Sequence, residues 1–180
     1  MQKILITGVS GAGKSTICKE LEKLGYLSLG IEDIKGMFNI YHKGTHDFFE
    51  GYNNLNPHDI ENADWLCDTK KLKKLVDSQK TEVGFYCGIS SDVDELLPFF
   101  DKVVVLQPDA KILNARLKNR EGTDNIGNNQ AGRDLILGWK DWWENKMKAK
   151  GATFVNANGT PEEVVREVLE KLDLHSSKQT

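Results

Sequence analysis

The strongest chemical signature lies near the start of the chain. Residues 8–15 read Gly8, Val9, Ser10, Gly11, Ala12, Gly13, Lys14, Ser15, which fits the pattern G-x-x-x-x-G-K-S. Each fixed position in that pattern has a physical task. Glycines let the backbone approach an anion without a Cβ clash. A run of exposed amides leading into a helix N-terminus cradles phosphate. Lys14 carries a full positive charge to the outer phosphates, Ser15 offers a hydroxyl to Mg2+, and Thr16 offers one to an inner phosphate. The pattern predicts a nucleoside triphosphate ligand, MgATP before others, bound through Gly8, Ser10, Gly11, Ala12, Gly13, Lys14, Ser15 and Thr16.

Two further sets of residues suit phosphate chemistry. Glu32 and Asp33 follow the second apolar run, where the carboxyl edge of an α/β sheet binds ligands. Asp33 is the candidate general base or acceptor-orienting group, and a candidate for Mg2+ through water. Arg116 and Arg120 are four residues apart and share a helical face. They lead into a Gly- and Asn-rich stretch, 120–132, that Arg133 closes. The planar guanidinium grips phosphate and stacks on a base.

These residues need a scaffold. Residues 3–7 (KILIT) read as a buried strand, and 14–24 as a helix with Ile17, Leu21 and Leu24 on one face. Strands are expected at 26–29, 82–87, 102–106 and 153–156, and helices at 68–78, from Pro108 to about 119, and at 134–150. A short helix is expected around 34–41, and a loop at 51–57. Thr160, Pro161 and Glu163 have capping-box spacing for a last helix, and 175–180 read as a frayed tail. Strands alternating with helices imply a parallel sheet covered on both faces.

Bulk properties exclude other classes. The 180 residues suit one domain, 1–180, and a net charge of −3 lacks the basic field of a nucleic-acid binder. No apolar run reaches membrane-spanning length, so no membrane partner is expected. No signal peptide is read at the N-terminus. Cys18, Cys67 and Cys87 are too far apart in sequence for a metal motif. They read as reduced thiols of a cytoplasmic protein. The sequence sets no oligomeric state.

Three classes use such a phosphate loop. A switch GTPase needs N-K-x-D, and the nearest match, Asn145-Lys146-Met147-Lys148, lacks the aspartate. A motor or AAA-type ATPase needs a strand ending in Asp-Glu, and the one such pair, Asp94-Glu95, follows a turn. A small-molecule or nucleotide kinase needs the loop, a carboxylate and an arginine-bearing lid, and all three are present.

That order of loop, acidic pair, R-x-x-x-R and lid resembles the adenylate-kinase-like branch of P-loop kinases, with its nucleotide, shikimate and gluconate kinases. The segments around Trp65-Leu66-Cys67-Asp68, Cys87-Gly88 and Gly138-Trp139 resemble an uncharacterised bacterial group of P-loop kinases. The resemblance implies a three-layer P-loop fold with a five-stranded parallel sheet, an acceptor-binding segment about 34–67 and a mobile lid over 120–132. It also implies γ-phosphoryl transfer, with Lys14, Asp33, Arg120 and Arg133 catalytic and Arg116 on the adenine or phosphates. One departure is Cys87-Gly88 where many nucleotide kinases carry an aspartate; Asp33 or Asp92 is a substitute. The expected acceptor is a hydroxyl of a nucleoside or small metabolite, because no arginine lies between the second and third strands. Alternatives are a nucleoside monophosphate acceptor and a slowly hydrolysing regulator.

Other residues read as structural. Trp139, Trp142, Trp143 and Met147 share one helical face and are expected to pack. His42, His46 and His58 read as loop histidines, with substrate contact the next reading. Trp65 suits either an acceptor ring or the core.

Overall fold

Strand β1 (Gln2–Thr7) shows in miniature how the chain folds. Side chains alternate across a strand, and here both sides are apolar. Ile4 and Ile6 enter one core cluster and Leu5 the other. A strand buried on both faces belongs at the centre of a parallel sheet. The computed structural model describes residues 1–120, 122 and 125–174. The expected tail at 175–180 and three positions of the expected lid lie outside the described residues.

The other sheet strands are β2 (Leu27–Gly30), β5 (Val83–Cys87), β6 (Lys102–Gln107) and β7 (Thr153–Asn156). They form a five-stranded sheet in the order β2-β5-β1-β6-β7, with every pairing parallel. Helix α1 (Lys14–Lys23) packs on β2 and against α6 (Pro161–Lys171). Helix α3 (Thr69–Asp77) places Leu72 and Val76 in the opposite cluster with Tyr86. Helices α4 (Ala110–Lys118) and α5 (Gln130–Ala149) pack on each other. The expected α/β class and parallel sheet are therefore present. So is the last capping box, in which Thr160 accepts from the Glu163 amide and Glu163 accepts from the Thr160 amide.

Two expectations are corrected. Residues 38–42 form no helix; they are strand β3 (Phe38–His42), antiparallel to β4 (Ala63–Cys67), with helix α2 (Pro57–Glu61) in the connection. Phe, Ile and Tyr favour the pleated, half-buried surface that a partner strand supplies, and the partner is some 25 residues away in sequence. The long helix starts earlier than expected, at Gln130. The Asn129 side chain caps it by accepting from the Gly132 amide at 2.7 Å.

Candidate active site

The phosphate loop runs from the end of β1 into α1 beneath the carboxyl edge of the sheet. Gly8 is pressed against its neighbours: a Cβ there would sit 2.9 Å from both the Ala12 Cβ and the Leu106 carbonyl oxygen. Gly13 caps α1 with φ 107°, a left-handed conformation that glycine adopts without strain. The side chains of Asp68, Asn129 and Thr160 cap α3, α5 and α6. At α1 no side chain caps, and no acidic residue lies in the first turn. Its amides and positive dipole end are left for an anion.

Lys14 is 8% exposed, and its Nζ donates to the Gly8 carbonyl at 2.9 Å. Burial lowers its pKa, partly countered by the Glu32 carboxylate 3.9 Å away, while the Arg120 charge lowers it further. Ser15 and Thr16 are exposed in the same cavity.

Glu32 and Asp33 part company. They sit on one turn of 3-10 helix, Ile31–Asp33, that follows β2. Glu32 Oε1 accepts from the Ile89 amide at 2.7 Å, which aims its carboxylate at Lys14. Asp33 is exposed and lines neither cavity described below. Asp92 lines neither as well. The carboxylate placed beside the phosphate loop is that of Glu32, the neighbour of the residue singled out in the sequence. Gly88 explains why the strand lacks the aspartate. A Cβ there would lie 2.5 Å from Ile31 Cγ1 and 3.3 Å from Glu32 Cγ. The end of β5 is kept bare so that the Glu32 turn can close over it.

The arginines also divide. Arg116 Nη1 donates to the Ala12 carbonyl at 3.3 Å, and burial lowers its pKa. Arg120 Nη1 donates to Ser10 Oγ at 3.3 Å. Arg133 does not join them. It is 8% exposed, and its guanidinium donates to the Gly127 carbonyl and to Gln130 Oε1, each at 2.8 Å. Its charge is spent tying the preceding loop to α5.

Two cavities meet here. One, of about 490 Å3, runs along the phosphate loop to Arg116 and to Ala157, Gly159, Pro161 and Val164, between β7 and α6. The sequence reading missed this last wall, whose residues carry no polar signal. The second, of about 510 Å3, opens toward β3, β4 and α5. Ser10, Lys14, Glu32 and Arg120 line both.

The second cavity holds another surprise. Trp143 and Met147 are buried as expected, yet Trp139 and Trp142 are 39% and 64% exposed and line this cavity with Trp65. His42 stacks on Phe49, His46 meets the edge of Tyr41, and His58 lies on α2. None of the three lines either cavity. Among the described residues no group of three or more His, Cys, Asp or Glu is placed to hold a metal ion, and no helix is long and apolar enough to cross a membrane.

A family model described as AAA domain matches residues 4–135. The chain belongs to that family. This family is one of P-loop kinases, in agreement with the resemblance to the nucleotide- and gluconate-kinase-like branch. No curated protein matches the sequence of this chain. Its fold is that of solved P-loop kinases. A gluconokinase from Sinorhizobium meliloti is 16% identical with a TM-score of 0.57, over 96% of this chain and 91% of that one. A deoxyadenosine kinase from M. mycoides, bound to products, is 18% identical with a TM-score of 0.57, over 95% and 98%. A sugar kinase from a Janibacter species is 16% identical with a TM-score of 0.56, over 100% and 99%. At such identities the likeness shows the fold alone.

Proposed function

We propose that this chain, a single kinase domain over 1–180, transfers the γ-phosphoryl group of MgATP to a hydroxyl of a nucleoside or other small metabolite. The observation that carries this reading is the junction of two cavities at Ser10, Lys14, Glu32 and Arg120. A donor in the first cavity and an acceptor in the second would meet there. Lys14 and the loop amides hold the β- and γ-phosphates. The exposed Ser15 hydroxyl is a hard oxygen donor that fits the Mg2+ arriving with the phosphates. Arg116 lies along the phosphates and base, and Arg120 bridges to the transferred group.

The acceptor oxygen attacks the γ-phosphorus, the bond to the ADP oxygen breaks, and the acceptor proton passes to Glu32. The transition state is loose, so the protein mainly positions reactants and offsets charge. Segment 34–67 walls the acceptor cavity, and 120–132 is read as a lid that closes over the junction and excludes water. Arg133 serves by holding that lid to α5.

A pair of variants tests the reading against acceptor-dependent ADP release. Glu32→Gln is expected to lower turnover by about 10²–10⁴-fold, the range for a lost general base. Asp33→Asn is expected to leave it nearly unchanged. The reverse pattern, or ADP release that no acceptor stimulates, overturns it.

A further inference from the structure

The chain has four tryptophans, and all four line the acceptor cavity. Trp65 comes from β4, and Trp139, Trp142 and Trp143 from α5. Two elements far apart in sequence thus deliver every indole to one space. Core packing explains Trp143, which is 6% exposed. It does not explain Trp142, which is 64% exposed and has Lys146 Nζ 5.9 Å from its ring centroid. Leaving two large indoles partly in water forgoes the free energy of burying them.

Trp65 is set rigidly. Phe38 stacks on its ring at 5.3 Å and 12°. Its amide donates to Ser91 Oγ at 2.9 Å, and its carbonyl accepts from the Ser91 amide and from Ser90 Oγ. An indole fixed in this way is a stacking platform already in place before any ligand arrives.

Charge in the cavity points the same way. Away from the junction the ionised lining groups are Lys43, Glu61 and Asp64, one positive and two negative, for a net −1. Lys43 Nζ is engaged with the Glu61 backbone carbonyl, and Asp64 Oδ2 accepts from the Gly44 amide. Among the described residues the one arginine on the wall of this cavity is Arg120, at the junction. The remaining walls include Ile40, Ile60, Ile89 and Ile136. Beside them stand Tyr52, Asn54, Ser90 and Ser91, polar groups that suit a hydroxyl-bearing arm, whereas the indole faces suit a ring, and a carboxylate away from the junction would face net negative charge. A flat ring would be held by stacking, which is insensitive to the ring's substituents.

We infer that the acceptor is a planar aromatic or heteroaromatic molecule, uncharged in its ring, with a hydroxyl-bearing arm that reaches Glu32 and Lys14. This rests on reading the second cavity as the acceptor side, and it selects among the hydroxyl acceptors left open above.

The test uses the full chain with a non-hydrolysable ATP analogue for binding and with ATP for turnover. Adenosine, cytidine and pyridoxine are compared with gluconate, shikimate and glycerol. Aromatic members are expected to bind by calorimetry and the others not. Trp142→Ala and Trp139→Ala should each raise the KM of the best aromatic acceptor about tenfold or more, with Trp142→Phe restoring most of it. Binding of gluconate, shikimate or glycerol but of no aromatic member overturns the inference, as does a KM unmoved by both alanine variants. Binding of aromatics without any ADP release keeps the aromatic preference of the cavity and overturns the kinase reading, and with it the ligand's role as acceptor. Turnover of gluconate alone keeps the kinase reading and overturns the inference.

Discussion

The Lys14 ammonium is held between the Gly8 carbonyl and the Glu32 carboxylate, in a place where burial disfavours its charge. Phosphate oxygens would return the favourable field that burial removes. Lys14→Ala should therefore lower turnover by about 10²-fold or more, the scale for losing a preorganised donor to a developing charge. Its fold should survive, because the residue belongs to a loop end and removes a buried charge with it. Turnover and a thermal melt of the same sample check both parts. Gly88 is a second residue with a defined role, since its missing side chain is the space occupied by Ile31 and Glu32. Gly88→Ala should push that turn away. We expect a loss of about 1–3 kcal/mol in denaturant unfolding, together with reduced turnover. A variant of wild-type stability and activity would contradict this account of how Glu32 is placed.

Among the elements, α5 does more than cover the sheet. Its interior carries a buried ion pair, Lys140 to Glu144 at 2.8 Å, and Gln107 at the end of β6 donates to the same carboxylate at 2.6 Å. This polar clamp fixes the helix that carries Trp139, Trp142 and Trp143. The helix begins at the Asn129 cap, and Asn129 also donates to the Leu55 carbonyl at 2.9 Å, across to the acceptor side. The loop before it is tied down through Gly127 by Arg133. Lid behaviour is expected of that loop. Amides of residues 125–129 should exchange more slowly when an ATP analogue and an acceptor are both bound than in the free protein. Mass-resolved hydrogen exchange in the two states is the measurement, and equal rates would remove the closing lid from the mechanism.

At the scale of the whole molecule, the sheet order places β1 between β5 and β6, so the phosphate loop emerges at the centre of the carboxyl edge. The two cavities then lie on either side of that loop and share only its junction residues. Ligand binding to the native state alone must stabilise the whole fold. MgATP at about 100 times its Kd should add roughly 2.7 kcal/mol, which for a chain of this size is a rise in Tm of about 5–10 °C. Lys14→Ala should lose most of that shift. A melt unmoved by MgATP in the wild-type protein would count against the donor cavity.

What the sequence by itself determined is local or strongly periodic. The phosphate loop is read from eight consecutive residues because its chemistry is made by the backbone of those residues. The buried strand KILIT and the Thr160 capping box are likewise complete within a few positions. Only the tertiary structure shows which of Glu32 and Asp33 stands beside Lys14. Adjacent residues on a tight 3-10 turn point about a third of a circle apart, and it took the Ile89 amide, far along the chain, to fix which one faces Lys14. The pairing of β3 with β4 was hidden for the same reason, since a strand is stabilised by a distant partner. Arg133 closes the Gly- and Asn-rich stretch in sequence, and only the fold shows its guanidinium donating to the Gly127 carbonyl. The three tryptophans of α5 show the limit most clearly. Their spacing reports a shared face, and whether that face meets core or cavity depends on what the fold brings opposite it, here Trp65 on β4.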